Sequence, residues 1–373
     1  MKSWIVRIGL VILGLGAAGL VIGASGFIPV KASSGHWPAT RWLLRFAMQR
    51  SIATHSIGIL PPNLDDPALV LRGAGHYELG CRSCHGSPGT TQPRVAASML
   101  PPPPDLPPRI RASNPQKLFY VVKHGLKFTG MPAWPTQERD DEVWAMVAFL
   151  LKLPGLDEAG YRQLVHGDSP SSVSMPVDGP TGKAPSMVVQ LCVRCHGPDG
   201  LGRDRSDFPR LAGQREEYLA NALHAYARGT RQSGTMESIA ASLDDSGVQE
   251  LSRYYASLGG PKTPAPSARE TDAEAIARGR SIALDGVFGQ RIPACVECHG
   301  PGARRGKPAY PALAGQSADY LRLQLQLFKG EQRGGSKYAH LMKPVAARLT
   351  DAQVRDVTLY FESLATPGTS AVP

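Results

Sequence analysis

All six cysteines of this 373-residue chain fall into one arrangement used three times: Cys81-Arg82-Ser83-Cys84-His85, Cys192-Val193-Arg194-Cys195-His196 and Cys295-Val296-Glu297-Cys298-His299, each followed by Gly. Two thiols one helical turn apart with an imidazole on the next residue form the attachment signature of a c-type haem. The thiols become thioethers to the vinyl groups and the His lies beneath the iron. Three structural disulfides would not require a His after the second Cys of every pair. Zinc draws its ligands from separated pairs, and each His adjoins its Cys too closely to complete a tetrahedron alone. A redox Cys-x-x-Cys is normally single and set in a βαβ context, which is absent here. The cysteines therefore point to three covalently bound haem c groups. Composition agrees with small, loop-rich domains that use something other than aromatic side chains as filling: Gly and Pro number 40 and 33 without a collagen period, and only 25 residues are aromatic.

The motifs recur after 111 and 103 residues, which marks an array of units of about 100 residues. Other features recur in phase. Pro104-Asp105-Leu106, Pro209-Arg210-Leu211 and Pro311-Ala312-Leu313 follow the three motifs, and the last two runs continue as Leu-Ala-Gly-Gln at 211–214 and 313–316. Each unit closes with helical apolar spacing: Val143, Met146, Leu150, Leu153; then Val248, Leu251, Tyr255, Leu258; then Val354, Val357, Phe361, Leu364. Asp140, Asp245 and Asp351 stand three residues before these runs, suited to a helix cap or to the positive end of the helix dipole.

Between each Pro-x-Leu and its closing helix lies a Met: Met131, Met236 and Met342, respectively 46, 40 and 43 residues after His85, His196 and His299. A lone Met is more often core filler than a ligand, but an equivalent position in three repeats favours axial ligation of the iron. Met99, Met146, Met175 and Met187 fit less well, lying near a motif, on a helix face or in a linker. His340, two residues before Met342, is the competing ligand, and His124 and His224 read as ordinary histidines.

This pattern resembles the class I c-type cytochromes over nearly all of residues 68–365. The resemblance implies an all-α fold of three tandem class I cytochrome c domains after an N-terminal membrane helix. In each domain an N-terminal helix, the attachment motif, loops, a Met-bearing strap and a crossing C-terminal helix would wrap one haem. It also implies that the backbone carbonyls of Pro104, Pro209 and Pro311 hold the ligating His in one tautomer. Residues 186–365 are similar to the tandem dihaem cytochromes of the c-four type, through the Phe/Tyr-Pro-x-Leu-Ala-Gly-Gln run and the following Tyr218-Leu219 and Tyr320-Leu321. Residues 68–156, with Thr-Gly-Met-Pro around Met131, look more like haem c domains of respiratory oxidase or dehydrogenase subunits. This unit lacks Leu-Ala-Gly-Gln and carries a Pro101–Pro104 run, so the role of Pro104 transfers less directly.

Ile8–Ile28 is free of charge over 21 residues, about 31 Å as a helix, enough to cross a bilayer. Lys2 and Arg7 before it would keep the N-terminus cytoplasmic. The run exceeds the ~7–15-residue core of a signal peptide, which favours a retained anchor, while Val30-Lys31-Ala32 would serve as a cleavage site. Either reading exports the chain. Residues 1–64 hold six Lys and Arg and no Asp or Glu, accounting for +6 of the net +10. Positive charge gathered beside an apolar segment fits a membrane surface rather than nucleic acid. Residues 38–55, with Trp42, Leu43 and Phe46 among Arg41, Arg45 and Arg50, fit a helix lying on the membrane or packed on the first domain.

The expected division is an anchor or signal segment at 1–32, a juxtamembrane segment at 33–67, haem domains at 68–156, 186–260 and 273–365, linkers at 157–185 and 261–272, and a tail at 366–373. The Pro-rich first linker implies that the first unit moves relative to the other two, which would pack as a pair. His/Met ligation fills both axial positions and leaves the iron only a change of oxidation state, which implies an electron carrier and not an enzyme. The alternative is a multihaem peroxidase-like enzyme with one open haem; a haem-based sensor lacks an output domain. The implied setting is the periplasmic side of a bacterial inner membrane. The implied partners are redox proteins as donor and acceptor: a dehydrogenase, a quinol-oxidising complex or a terminal oxidase.

Overall fold

A largely apolar sequence without Pro, free of charge from Ile8 onward, folds into the first helix, Lys2–Ala24. In this computed structural model, which describes residues 2–28, 30–31, 33–106, 110, 113–167, 178–179, 182–183, 188–202, 208–260, 272–300, 307–335 and 338–365, its large side chains are exposed along its length, Leu13 and Leu20 by 72% and 76%. Ser3–Ala24 is long enough to cross a membrane, and its most apolar 18-residue stretch has a mean hydropathy of 2.4. The next helix, Pro38–His55, starts on a Pro, whose missing N–H costs nothing there. Trp42 stacks on Phe46 at its exposed start, and at its end His55 stacks on Tyr120 of the first unit.

Elsewhere the regular structure of the described residues is almost entirely helical. Among the described residues the only paired strands are Asp178–Gly179 and Gly182–Lys183, antiparallel. In the first unit Pro67–His76 is capped by Asp66, whose carboxylate accepts from the Ala68 N–H. This helix crosses Asp140–Lys152 at Gly73, where a Cβ would collide with the carbonyl oxygen of Ala145. The third unit repeats the device: Ala273–Asp285 crosses Asp351–Glu362 at Gly279, where a Cβ would meet the Asp356 backbone. Only glycine lets two helix backbones approach so closely. Tyr77, Val143, Met146, Val147 and Phe149 form the centre of the first core. Ile282, Val354, Val357 and Phe361 belong to the third, and Val188, Leu219, Leu251 and Tyr255 to the smaller second.

Three expectations are narrowed or corrected. The closing helices begin at Asp140, Asp245 and Asp351, which therefore sit in the first turn and serve the dipole. The caps are the preceding residues Asp244 and Thr350, while Arg139 precedes the first helix without a capping bond. Glu158–His166, inside the expected linker 157–185, is a helix capped by Asp157 that buries Tyr161 and Val165 in the first core. The Pro, Gly and Ser that signalled a linker begin only after it. The linker stretches 168–177 and 261–271, the tail 366–373, Met175 and Met187 lie outside the described residues.

The third concerns the first unit's separation: hydrogen bonds join it to the second. Arg139 Nη1 donates to Gln232 O (2.8 Å), and Glu142 accepts from the Ser233 hydroxyl and the Gly234 N–H, both at 2.7 Å. The second and third units do pack as a pair. Gln214 bonds both the N–H and the C=O of Ala312, and Gln316 bonds both groups of Arg210.

Three candidate haem sites

Each attachment motif is one tight helical turn: Arg82–His85, Val193–His196 and Val296–His299. In the first two units a π-helical turn, Tyr77–Cys81 or Val188–Cys192, precedes it and brings the first Cys onto the same turn as the second. Gly86 and Gly197 end the turn at φ of 72° and 76°, a backbone that other residues rarely adopt. Gly300 stays at φ −82°, and there crowding decides instead, since a Cβ would lie 2.7 Å from Val296 O.

The three His rings share one hydrogen bond. Nδ1 of His85 lies 2.9 Å from Pro104 O, that of His196 3.0 Å from Pro209 O, and that of His299 2.9 Å from Pro311 O. A carbonyl oxygen can only accept, so each Nδ1 carries the proton and each Nε2 keeps its lone pair for a metal. Burial pushes the imidazoles of His196 and His299 below their ordinary pKa, opposed by the bonds to Pro209 and Pro311, and keeps them neutral. In the first unit Gln92 Nε2 donates to both Cys84 O (2.9 Å) and Pro103 O (3.0 Å), tying the proline run to the motif. Phe208 and Tyr310, just before Pro209 and Pro311, set their rings 6.5 and 6.2 Å from those of His196 and His299.

Burial also raises the first thiol of each pair, Cys81 to about 12 and Cys192 and Cys295 to about 11. Apolar surroundings of that kind oppose a thiolate and so disfavour a metal–thiolate site. Among the described residues no group of three or more His, Cys, Asp or Glu is arranged to hold a metal ion.

Met131 is half-buried in a loop closed by Leu126 N–H to Met131 O (3.1 Å) and Met131 N–H to the Thr129 hydroxyl (3.1 Å). Met99 fills the space that a Gly130 Cβ would take, bringing a second thioether to that loop. Met236 is half-buried in the helix Gly234–Ala240, whose cap Ser233 accepts from the Met236 N–H at 3.1 Å. Met342 opens the helix Met342–Arg348 and is half-buried, whereas His340 is exposed. Met146 is in the first core, and the His124 ring lies tilted against Tyr120, with centroids 4.8 Å apart.

Sequence reasoning missed a pair of cations between the second and third units, Arg231 buried and Arg333 half-buried. Arg231, 4% exposed, donates to the hydroxyls of Tyr218 (3.4 Å) and Tyr320 (3.1 Å) and lies over the Tyr226 ring. Arg333 stacks on Phe328, and its Nε has no hydrogen-bond partner. Burial, and then the like charge of Arg231, pushes the Arg333 guanidinium below its ordinary pKa. Among the described residues no carboxylate bonds to either, and two like charges placed together with little solvent and no counter-anion are unfavourable. The carboxylate groups that a haem carries would compensate them. The site residues therefore fit the group that the motifs imply.

Comparison with known proteins points the same way. Residues 68–150 match the family of cytochrome c oxidase, cbb3-type, subunit III, and residues 276–365 match the cytochrome c family. The chain is similar to a thiosulfate dehydrogenase electron acceptor from Thiomonas intermedia, 41% identical over 44% of this chain and 75% of that protein. A second such electron acceptor, from Stutzerimonas stutzeri, is 35% identical over 48% of this chain and 80% of its own length. A cytochrome c4 from Thiocapsa roseopersicina is 35% identical over 47% of this chain and 87% of its own.

Proposed function

The chain belongs to the class I c-type cytochromes, electron-transfer proteins related to cytochrome c4 and to the electron acceptors of thiosulfate dehydrogenase, and we propose that it is a membrane-attached, periplasmic trihaem electron conduit. The observation that carries this reading is the threefold repetition of one arrangement, a Cys-x-x-Cys-His turn whose His is oriented by a proline carbonyl. Cys81 and Cys84, Cys192 and Cys195, and Cys295 and Cys298 would each hold one haem c through two thioethers. Nε2 of His85, His196 and His299 and the thioether sulfurs of Met131, Met236 and Met342 would ligate the three irons.

Bound haem supplies one-electron redox chemistry, with a potential raised by His/Met ligation. The chain orients the imidazoles through Pro104, Pro209 and Pro311, excludes water with the surrounding apolar side chains, and neutralises carboxylates with Arg231 and Arg333. The helix Lys2–Ala24 holds it at the membrane. The likeness to thiosulfate dehydrogenase electron acceptors favours an exported dehydrogenase as donor. The match of the first unit to a cbb3-type oxidase subunit favours a terminal oxidase as acceptor.

Replacement of each axial Met by Ala tests the ligand set. With three independent sites, each single variant is expected to lose about one third of the weak far-red thioether-to-iron band, to lower the potential of one haem, and to admit carbon monoxide there. A wild-type protein that binds carbon monoxide rapidly at one haem would contradict the electron-carrier reading. Retention of the full band in Met342→Ala would exclude Met342 as the third sixth ligand.

A further inference from the structure

Glu142 belongs to the first unit, on the helix that closes its core, yet its carboxylate makes its two shortest hydrogen bonds to the second. Oε1 accepts from the Ser233 hydroxyl at 2.7 Å, and Oε2 from the Gly234 N–H at 2.7 Å. Trp134 Nε1 also donates to Oε2, at 3.3 Å, and Arg139 lies 3.0 Å from Oε1. Ser233 is the cap of Gly234–Ala240, and its oxygen in turn accepts from the Met236 N–H. One hydroxyl thus joins a carboxylate of the first unit to the backbone of the methionine proposed as a ligand in the second.

The surroundings make this contact stiff. Glu142 and Arg139 expose only 11% and 9% of their side chains. Arg139 is held bidentately by Asp141 (2.7 and 2.9 Å) and reaches Gln232 O, next to Ser233. The Trp134 ring occupies the space beside Gly234 that a Cβ would need, so the loop meets the first unit as bare backbone. Nearby, Gly75 of the first unit would place a Cβ 3.0 Å from Cys195 Sγ, so the first unit also touches an attachment cysteine of the second. A buried carboxylate with four partners fixes geometry firmly, and removing it leaves buried donors unsatisfied.

We propose that Glu142 is a positioning residue for the second haem: it holds the Met236 loop in the ligating arrangement, so that sixth ligation in the second unit depends on the first unit being seated against it. This rests on the reading of Met236 as a ligand. Haem one and haem two then form a fixed relay rather than two tethered carriers, and separation of the units opens the second iron.

The test uses the full haem-loaded chain with Glu142→Ala, Glu142→Gln and Met236→Ala, each first shown by mass to carry its haems. Ala removes every acceptor and frees the loop; Gln keeps an amide oxygen for the Gly234 N–H while removing the charge. Glu142→Ala is expected to lose about one third of the far-red band and to lower one potential, the same one that Met236→Ala lowers. Glu142→Gln is expected to keep the band and leave that potential unchanged or raised, because loss of a nearby negative charge disfavours the oxidised iron. Combining Glu142→Ala with Met236→Ala is expected to add nothing to the loss of band. A full band in Glu142→Ala beside a reduced one in Met236→Ala overturns the positioning role alone. A full band in Met236→Ala overturns the ligand assignment and the positioning role with it. Potentials that move upward in both Glu142 variants would show that Glu142 acts only through its charge.

Discussion

Gln214 and Gln316 occupy the same position in the Leu-Ala-Gly-Gln runs of their units, and each pairs with the backbone of the other unit at the residue after the proline that orients its His. Gln214 exchanges bonds of 2.8 and 3.1 Å with Ala312, which follows Pro311, and Gln316 exchanges bonds of 2.9 and 3.0 Å with Arg210, which follows Pro209. The motif is a reciprocal clasp that makes each unit the support of its neighbour's His–Pro contact. Replacing either Gln by Ala leaves a half-buried N–H and C=O without their partner, an expected cost of about 1 kcal/mol. The double variant should cost less than the sum, because the first loss already loosens the interface. Urea unfolding of the haem-loaded chain measures both, and single variants as stable as wild type would contradict the clasp.

His76 gives the first unit an acid limit. Its ring is buried against Trp134, with centroids 4.3 Å apart, and its Nδ1 has no partner. Burial lowers its pKa from the ordinary 6.5 to about 4. The unfolded chain therefore takes up a proton near pH 6.5 that the folded chain refuses until about pH 4. The contribution of His76 is fully present above pH 6.5 and is lost as pH falls through that window, about 3 kcal/mol in all. His76→Gln should flatten the decline in stability between pH 6.5 and 4; an unchanged slope would contradict this origin.

Membrane attachment has its own test. Detergent should be needed to extract the native protein, and a chain beginning at Ser33 should be released without it. A mature N-terminus at Ser33 in the native protein would show that the first helix is a cleaved signal rather than an anchor.

Much of this was legible in the sequence because it depends on local spacing. The attachment turns, the closing helices with Val143, Val248 and Val354, and the apolar first helix all follow from neighbours a few residues apart. What the sequence hid depends on distant partners. Gly73 and Gly279 look like ordinary helix glycines until Ala145 and Asp356 lie across them. Glu142 reads as a first-turn acid suited to the dipole, and only folding brings Ser233 to it. Arg231 and Arg333 look like surface charges, since no local pattern announces that three tyrosines will surround them. The helix Glu158–His166 was concealed by the Pro-rich composition that follows it, although Asp157 at its start is an ordinary cap.

The count of covalent haems tests the central claim most directly. The full chain, made with intact export and haem-attachment machinery, should show by intact mass after acid-acetone extraction the addition of three haems per chain. Replacing both cysteines of any one pair by Ser should reduce the count to two. A wild-type chain carrying two haems or fewer under those conditions would contradict the account.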